Sequence, residues 1–336
     1  MSGAPLLTFV VPEGVDDPQR VSGGNVYDRR VLDGLLAGGW RVMTIEVADA
    51  AAVEAALAEV PDGGTVLVDG LVAAWAPEAI ATVSATARVV VLAHMVLAAF
   101  PDADPVAVER ERRALRAAAL VIATSRWTAA ELVERGVVDE QRVSVAVPGA
   151  TDGPPALGPA DHLLCVGAIA PHKGQDLLLD ALGRLRELDW SCTLAGSSAA
   201  DPRFAERIAE TADGFGSRVR MTGVLADAEL DAAYRRAGLL VAPSRTESFG
   251  MAIADARARG LPVIATAVGG IPESVAGGGA VLVTADEPAA LASALEQWMT
   301  DAALRRRLRS EAAECRARSP RWSTTVERIH RILVTT

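Results

Sequence analysis

Short apolar runs alternate along this chain with stretches whose apolar residues recur every three or four positions. Residues 6–11 (LLTFVV) read as a buried strand stopped by Pro12, and residues 26–36 carry the helical spacing. Ser22-Gly23-Gly24-Asn25 reads as the loop between them. Gly38-Gly39 ends the helix and 40–47 reads as the next strand, a βαβ beginning. The same rhythm predicts helix 53–60, strand 65–68 ending at Asp69-Gly70, helix 76–87 and strand 89–93 ending at His94. Helix 106–118, strand 120–123, helix 128–135 and strand 143–147 follow. Apolar strands alternating with amphipathic helices predict a parallel sheet covered on both faces.

The rhythm breaks at 148–159, a stretch rich in proline and glycine that reads as a linker. It then restarts, with strands at 163–166, 191–194, 219–222, 239–242 and 262–266. The helices between them are 177–185, 203–213, 228–237 and 251–259. Residues 291–317 read as one long helix, Pro320 breaks it, and a last amphipathic helix covers 323–333. The expected architecture is α/β, with two Rossmann-like doubly wound domains facing across a cleft. Their expected spans are 1–149, with the tail 320–336 packed back on it, and 150–319.

Composition narrows the function. The 336 residues are half hydrophobic, enough for two cores, and the net charge is -10. A nucleic-acid binder would carry a basic stripe. The densest basic run, Arg305-Arg306-Arg307-Leu308-Arg309, sits in a helical pattern near acids and reads as a solvated face. Three widely spaced cysteines, Cys165, Cys192 and Cys315, suggest neither a disulfide framework nor a zinc site. Met1 to Pro5 lack the basic region of a signal peptide, and the longest apolar stretch, 89–100, is too short for a bilayer. The expectation is a cytoplasmic protein with at most weak peripheral membrane association.

The chemistry is expected where strands end. In Pro243-Ser244-Arg245-Thr246-Glu247-Ser248-Phe249-Gly250-Met251 a strand leads into a helix start. Unpaired amides and the helix dipole there attract a diphosphate. Gly250 lets backbone approach phosphate, Glu247 can accept hydrogen bonds from sugar hydroxyls, and Asp255 can reach a ribose diol. A helix cap with an ordinary buried acid is the competing reading. In Val166-Gly167-Ala168-Ile169-Ala170-Pro171-His172-Lys173-Gly174, Lys173 can meet the charge on a departing diphosphate, and Gly167 and Gly174 allow tight turns. Gly23-Gly24 is no GxGxxG fingerprint, which argues against a nicotinamide dehydrogenase. His94 and Asp69 end neighbouring strands, as a contact to the reacting region and to the acceptor respectively. A satisfied core histidine is the alternative for His94. Val268-Gly269-Gly270-Ile271-Pro272-Glu273 opens at a further strand end, where its glycines would fit against a bound donor.

Taken together, the glycine pair, VGAIAPHKG, the acidic loop and GLPVIATAVGGIPESV resemble the retaining glycosyltransferases of the GT4 family, which have the GT-B fold. The likeness is strongest over 163–275. It implies that Lys173 contacts the donor diphosphate, that Glu247 binds donor-sugar hydroxyls, and that the amides of Phe249, Gly250 and Met251 hold phosphate. It further implies that Asp255 holds ribose, that Gly23 and Gly24 lie near the diphosphate, and that His94 lies near the donor sugar. Gly196, Val224 and Leu225 would lie near the base. Two positions depart from the family: Asp255 stands for a glutamate, and Ala168 for an arginine that Arg245 would have to replace. The implied activity is metal-independent transfer of a hexose-type sugar from a UDP- or GDP-sugar to a small-molecule or lipid hydroxyl, with retention and no resident cofactor. The alternatives are a nucleotide-sugar epimerase or hydrolase on the same fold, and a non-catalytic nucleotide-sugar-binding protein.

Overall fold

The structure is a computed structural model that describes residues 5–17 and 21–335; the leader reading of Met1 to Ala4 lies outside them. It divides into two compact units. One is built from the first strand, Gly23–Gly149 and Arg321–Thr336, and the other from Ala150–Pro320.

The first unit holds a parallel sheet of β1 (Leu6–Pro12), β2 (Arg41–Val47), β3 (Thr65–Asp69), β4 (Arg88–Ala93), β5 (Leu120–Ala123) and β6 (Val143–Val145), ordered β2-β1-β3-β4-β5-β6. Alternate side chains of each strand feed opposite faces. On β4, Val89, Val91 and Ala93 join a core with the helices Ala50–Ala58, Gly70–Trp75, Pro77–Val83 and Pro105–Ala117. Val90 and Leu92 join a second core with the helix Gly23–Ala37. That second core is completed from the far end of the chain. The helix Trp322–Val334 supplies Ile329, Ile332 and Leu333, all buried, each stabilising by about 1.5–3 kcal/mol relative to exposure. Its position is fixed by polar contacts as well. Trp40 Nε1 donates to His330 Nδ1 at 2.8 Å, Thr325 Oγ1 to the Val147 carbonyl at 2.7 Å, and Arg88 caps the carbonyls of Ile332 and Leu333.

The second unit repeats the plan with β7 (His162–Val166), β8 (Ser191–Ala195), β9 (Val219–Gly223), β10 (Leu239–Ala242), β11 (Val263–Thr266) and β12 (Ala280–Val283). All pair in parallel, in the order β12-β11-β10-β7-β8-β9. The two doubly wound parallel sheets expected from the alternation are thus present.

Three local departures have physical causes. The helix expected at 76–87 is Pro77–Val83, with Pro77 setting its first turn, and a helix that was not expected, Gly70–Trp75, capped by the Asp69 carboxylate, precedes it. The single helix at 291–317 is divided at Asp301, whose carboxylate accepts the amides of Ala303 and Leu304 and starts Ala302–Arg316 as a separate helix after Pro288–Thr300. Strand β12 was not anticipated. It is four residues long, mostly not buried, and follows three left-handed glycines, so it lacks the alternation that marks a strand. The three cysteines are free and buried, and burial pushes the Cys165 thiol up to about 12.

Candidate functional site

In the second unit the strand order places β7 beside β10, so the loops that leave their C-terminal ends lie next to each other. The loop after β7 ends in a 3-10 turn, Pro171–Lys173, closed by Gly174 in the left-handed conformation (φ 70°). A Cβ at Gly174 would lie 2.0 Å from the Pro243 carbonyl oxygen, which admits only glycine there. The loop after β10 is stitched to it: the Arg245 amide donates to the His172 carbonyl at 2.8 Å. The stitched loops set Lys173 Nζ 2.6 Å from Glu247 Oε2, with both side chains only partly exposed. The Lys173 stem passes Gly167, where a Cβ would meet Lys173 Cδ at 3.6 Å.

Immediately after Glu247 the chain turns into the helix Met251–Ala258, whose N-cap Gly250 has φ 93°. Its first helical bonds are donated by Ile253 and Ala254, both to the Gly250 carbonyl. The amides of Phe249, Gly250 and Met251 precede those bonds and have no acceptor within the helix. An ammonium, a carboxylate and a positive helix end are therefore collected on one sheet edge. His172 adds no charge, because burial and then the Lys173 ammonium push it down to about 4, with Glu247 opposing.

Gly196, Val224 and Leu225 follow β8 and β9 on the same edge. Gly196 packs so closely that a Cβ would lie 1.9 Å from the Gly167 carbonyl oxygen. Asp255 lies within the Met251–Ala258 helix, and its Oδ1 accepts the Thr151 amide at 2.7 Å.

Three expectations are corrected. Gly269 and Gly270 wedge against the backbone of the acidic loop rather than standing ready for a donor: a Cβ on either would lie within 2.1 Å of the Glu247 or Ser248 carbonyl oxygen. Arg245 does not stand in for the arginine absent at Ala168. Its guanidinium is held bidentately by Asp176 at 2.9 and 2.8 Å, and by Asp286 at 2.6 Å. Gly23 and Gly24 form no loop; they are the first turn of the helix Gly23–Ala37.

The first unit holds a second cluster. His94, at the end of β4, has Nε2 2.8 Å from Asp28 Oδ1 and 3.2 Å from Asp69 Oδ2. Asp69 is therefore not available to an acceptor, since its other oxygen caps Val72 at 2.9 Å and the residue is buried. The Tyr27 ring stands edge-on to His94 with centroids 5.2 Å apart. Burial alone would lower the His94 pKa, but the charge and hydrogen bond of Asp28, then those of Asp69, raise it to about 10. Asp28 is pushed up to about 7 by burial, against the pull of His94. These three residues could hold a metal ion, since their ligand atoms lie within 4.8 Å of one another. The Nε2-to-carboxylate distances are those of hydrogen bonds. Asp28 escaped sequence inspection. Its signal is an acid in the stripe Tyr27, Val31, Leu35, which is otherwise the apolar face of its helix.

Glu111 supports the segment that follows His94, its two oxygens accepting the Leu97 amide at 3.2 and 3.0 Å. Burial raises its carboxyl from 4.5 to about 7, with the Leu97 amide opposing. The folded state thus holds a proton that the unfolded state releases. Stability from this group is complete below 4.5 and is lost as pH rises through 7, an effect on the order of 2 kcal/mol. Thermal melts should show Glu111→Gln more stable than the parent at pH 8 and equal to it at pH 4.5. An equal difference at both pH values would exclude this cause.

A shallow cavity lined by Leu157, Gly158, Pro159, His162, Arg235 and Arg236 lies at the start of β7, the end away from Lys173.

Two doubly wound parallel sheets of six strands are the architecture of the GT-B fold. Residues 160–301 match the family model "Glycosyl transferases group 1". It is 32% identical over 225 residues to the D-inositol 3-phosphate glycosyltransferase of Corynebacterium efficiens, covering 60% of this chain and 52% of that protein. It is 36% identical over 178 residues to D-inositol 3-phosphate glycosyltransferase 1 of Catenulispora acidiphila, covering 50% and 42%. The chain thus spans about half the length of these curated relatives. Among solved structures, sucrose-phosphate synthase of Thermosynechococcus elongatus superposes with a TM-score of 0.81 at 22% identity, over 98% of both chains. Anabaena HepE in complex with UDP-glucose gives 0.79 at 18% identity, over 98% of this chain and 100% of that one. Both share the fold. No helix among the described residues is long and apolar enough to cross a membrane.

Proposed function

We propose that this protein is a retaining glycosyltransferase that moves a hexose-type sugar from a nucleotide-sugar donor, UDP- or GDP-linked, to a hydroxyl on a small-molecule or lipid acceptor. The observation that carries this reading is the Lys173–Glu247 pair at 2.6 Å, next to the start of the helix Met251–Ala258. An ammonium, a carboxylate and a helix start thereby lie side by side, a grouping suited to an anion and a sugar. Support also comes from the names of the proteins it resembles, which are glycosyltransferases, and from HepE, solved with UDP-glucose.

In this mechanism the second unit receives the donor. The amides of Phe249, Gly250 and Met251 hold the diphosphate, Glu247 orients the sugar hydroxyls, and Asp255 meets the ribose while one oxygen keeps the Thr151 amide. The base lies by Gly196, Val224 and Leu225. As the glycosidic bond breaks, the electron pair passes to the diphosphate, and Lys173 and the helix end stabilise that charge. The acceptor hydroxyl attacks from the same face, and the departing phosphate oxygen takes its proton. A lysine and a helix dipole thus supply the electrostatics for which other enzymes use a divalent ion, so the reaction proceeds in EDTA. The first unit takes the acceptor and contributes His94. The site of action is the cytoplasm.

A thermal-shift panel of UDP-, GDP-, ADP- and TDP-sugars tests the reading. One donor class should stabilise the protein, by about 2.7 kcal/mol at a hundred times its Kd. Incubation of that donor with and without acceptor mixtures separates transfer from hydrolysis. No shift with any sugar nucleotide at millimolar concentration would refute the proposal.

A further inference from the structure

The first unit buries two carboxylates against one imidazole, an expensive arrangement. His94 Nε2 lies 2.8 Å from Asp28 Oδ1 and 3.2 Å from Asp69 Oδ2, and both acids are almost fully buried. Toward two ionised carboxylates a ring nitrogen can only donate, so with both acids ionised Nε2 carries a proton. Asp69 is fixed from behind by the Val72 amide, and Asp28 is carried on the rigid helix Gly23–Ala37, where its Oδ2 has no partner. The Tyr27 edge stands against the ring, its hydroxyl donating to the Ala146 carbonyl, and the Thr124 hydroxyl donates to the His94 backbone carbonyl at 3.5 Å. Two anionic partners favour the charged form of the ring.

We propose that Asp28 is a positioning residue for the transfer reaction: with Asp69 it locks His94 in a single ring orientation as an imidazolium, so that Nδ1–H is the donor left to the substrate. This rests on the glycosyltransferase reading above, and it adds to that reading the protonation state of the histidine and the residue that sets it. A cationic His94 meets developing negative charge or a sugar oxygen as a strong donor over the whole neutral range, where a neutral ring would be one tautomer of two.

The test combines spectroscopy with kinetics. The chain has four histidines, so the ring signals of protein labelled with 15N-histidine can be assigned by substitution, His94→Gln identifying His94. At pH 8 the parent should show His94 with both ring nitrogens protonated. In Asp28→Asn that signature should be lost at pH 8 and return below pH 6. Asp28→Glu, which keeps the charge, should restore it. In the transfer assay Asp28→Asn should lower kcat roughly 10²-fold with little change in KM for the donor, the loss deepening as pH rises from 6 to 8. A neutral His94 in the parent at pH 8 overturns the proposal, as does an Asp28→Asn protein with the parent's spectrum and kcat. Should Asp28→Asn not fold, the parent spectrum alone still decides. Because the spectrum needs no substrate, a parent enzyme that transfers no sugar sinks the functional reading and leaves the protonation result standing.

Discussion

Lys173→Ala is expected to lower kcat for sugar transfer by about 10²–10³-fold, equivalent to about 2.7–4 kcal/mol of transition-state stabilisation, as for removal of one preorganised donor from a developing oxyanion. The fold should survive. Lys173 is a quarter exposed, its partner Glu247 also faces solvent in part, and an exposed or half-exposed ion pair contributes little to stability. The loss should fall on kcat more than on KM, because the charge that Lys173 meets is greatest once the glycosidic bond has broken. Lys173→Arg should recover little. The ammonium sits at the end of a stem laid past Gly167, and a planar guanidinium cannot take the same place on Glu247. Steady-state kinetics with the donor selected by the thermal-shift panel, beside a melting curve, decide the matter. Turnover equal to the parent would remove Lys173 from the mechanism.

Gly269→Ala is expected to abolish donor-induced stabilisation and to lower the melting temperature, although residue 269 touches no reacting atom in the proposed mechanism. The new Cβ would lie 1.9 Å from the Glu247 carbonyl oxygen, far inside contact distance, and the backbone there has φ 54°. The left-handed conformation alone costs a non-glycine residue about 1–2 kcal/mol. The clash adds to it, and the chain can relieve it only by moving the Glu247 loop, because the Gly270 amide is bonded to the same carbonyl at 2.9 Å. Glu247 would then leave Lys173. Gly63→Ala separates the two effects: it has φ 74° and open space around the new Cβ, so it should cost stability and leave donor binding intact. If Gly269→Ala responds to donor as the parent does, the loop is not held as described.

The order of strands and helices was legible because burial on both faces of a parallel sheet writes unbroken apolar runs. The runs at 120–123 and 239–242 coincide with β5 and β10 residue for residue. Legibility ended where the apolar signal was weak or outweighed by local chemistry. The half-exposed β12 carries too little of it, the Asp69 cap starts a short helix directly after β3, and the Asp301 cap divides a helix whose apolar spacing runs on. At the candidate sites the residue types could be read but not their allegiances. Arg245 looked like a spare cation, yet Asp176, sixty-nine positions away, holds it. Asp69 looked like a residue open to a ligand, yet it is consumed by a helix cap and by His94.

Local sequence determined the rhythm of elements, the loops that leave the strand ends, and the glycines that those loops require, because each depends on residues close in the chain. Tertiary structure alone decided which strand ends are neighbours, that a helix beginning at Trp322 would finish the core begun by Tyr27, and that Asp28 and His94, sixty-six positions apart, would share a hydrogen bond. Such pairings depend on strand order and helix packing across the whole unit. No window of sequence contains both partners, and the charge state of each is set by the other.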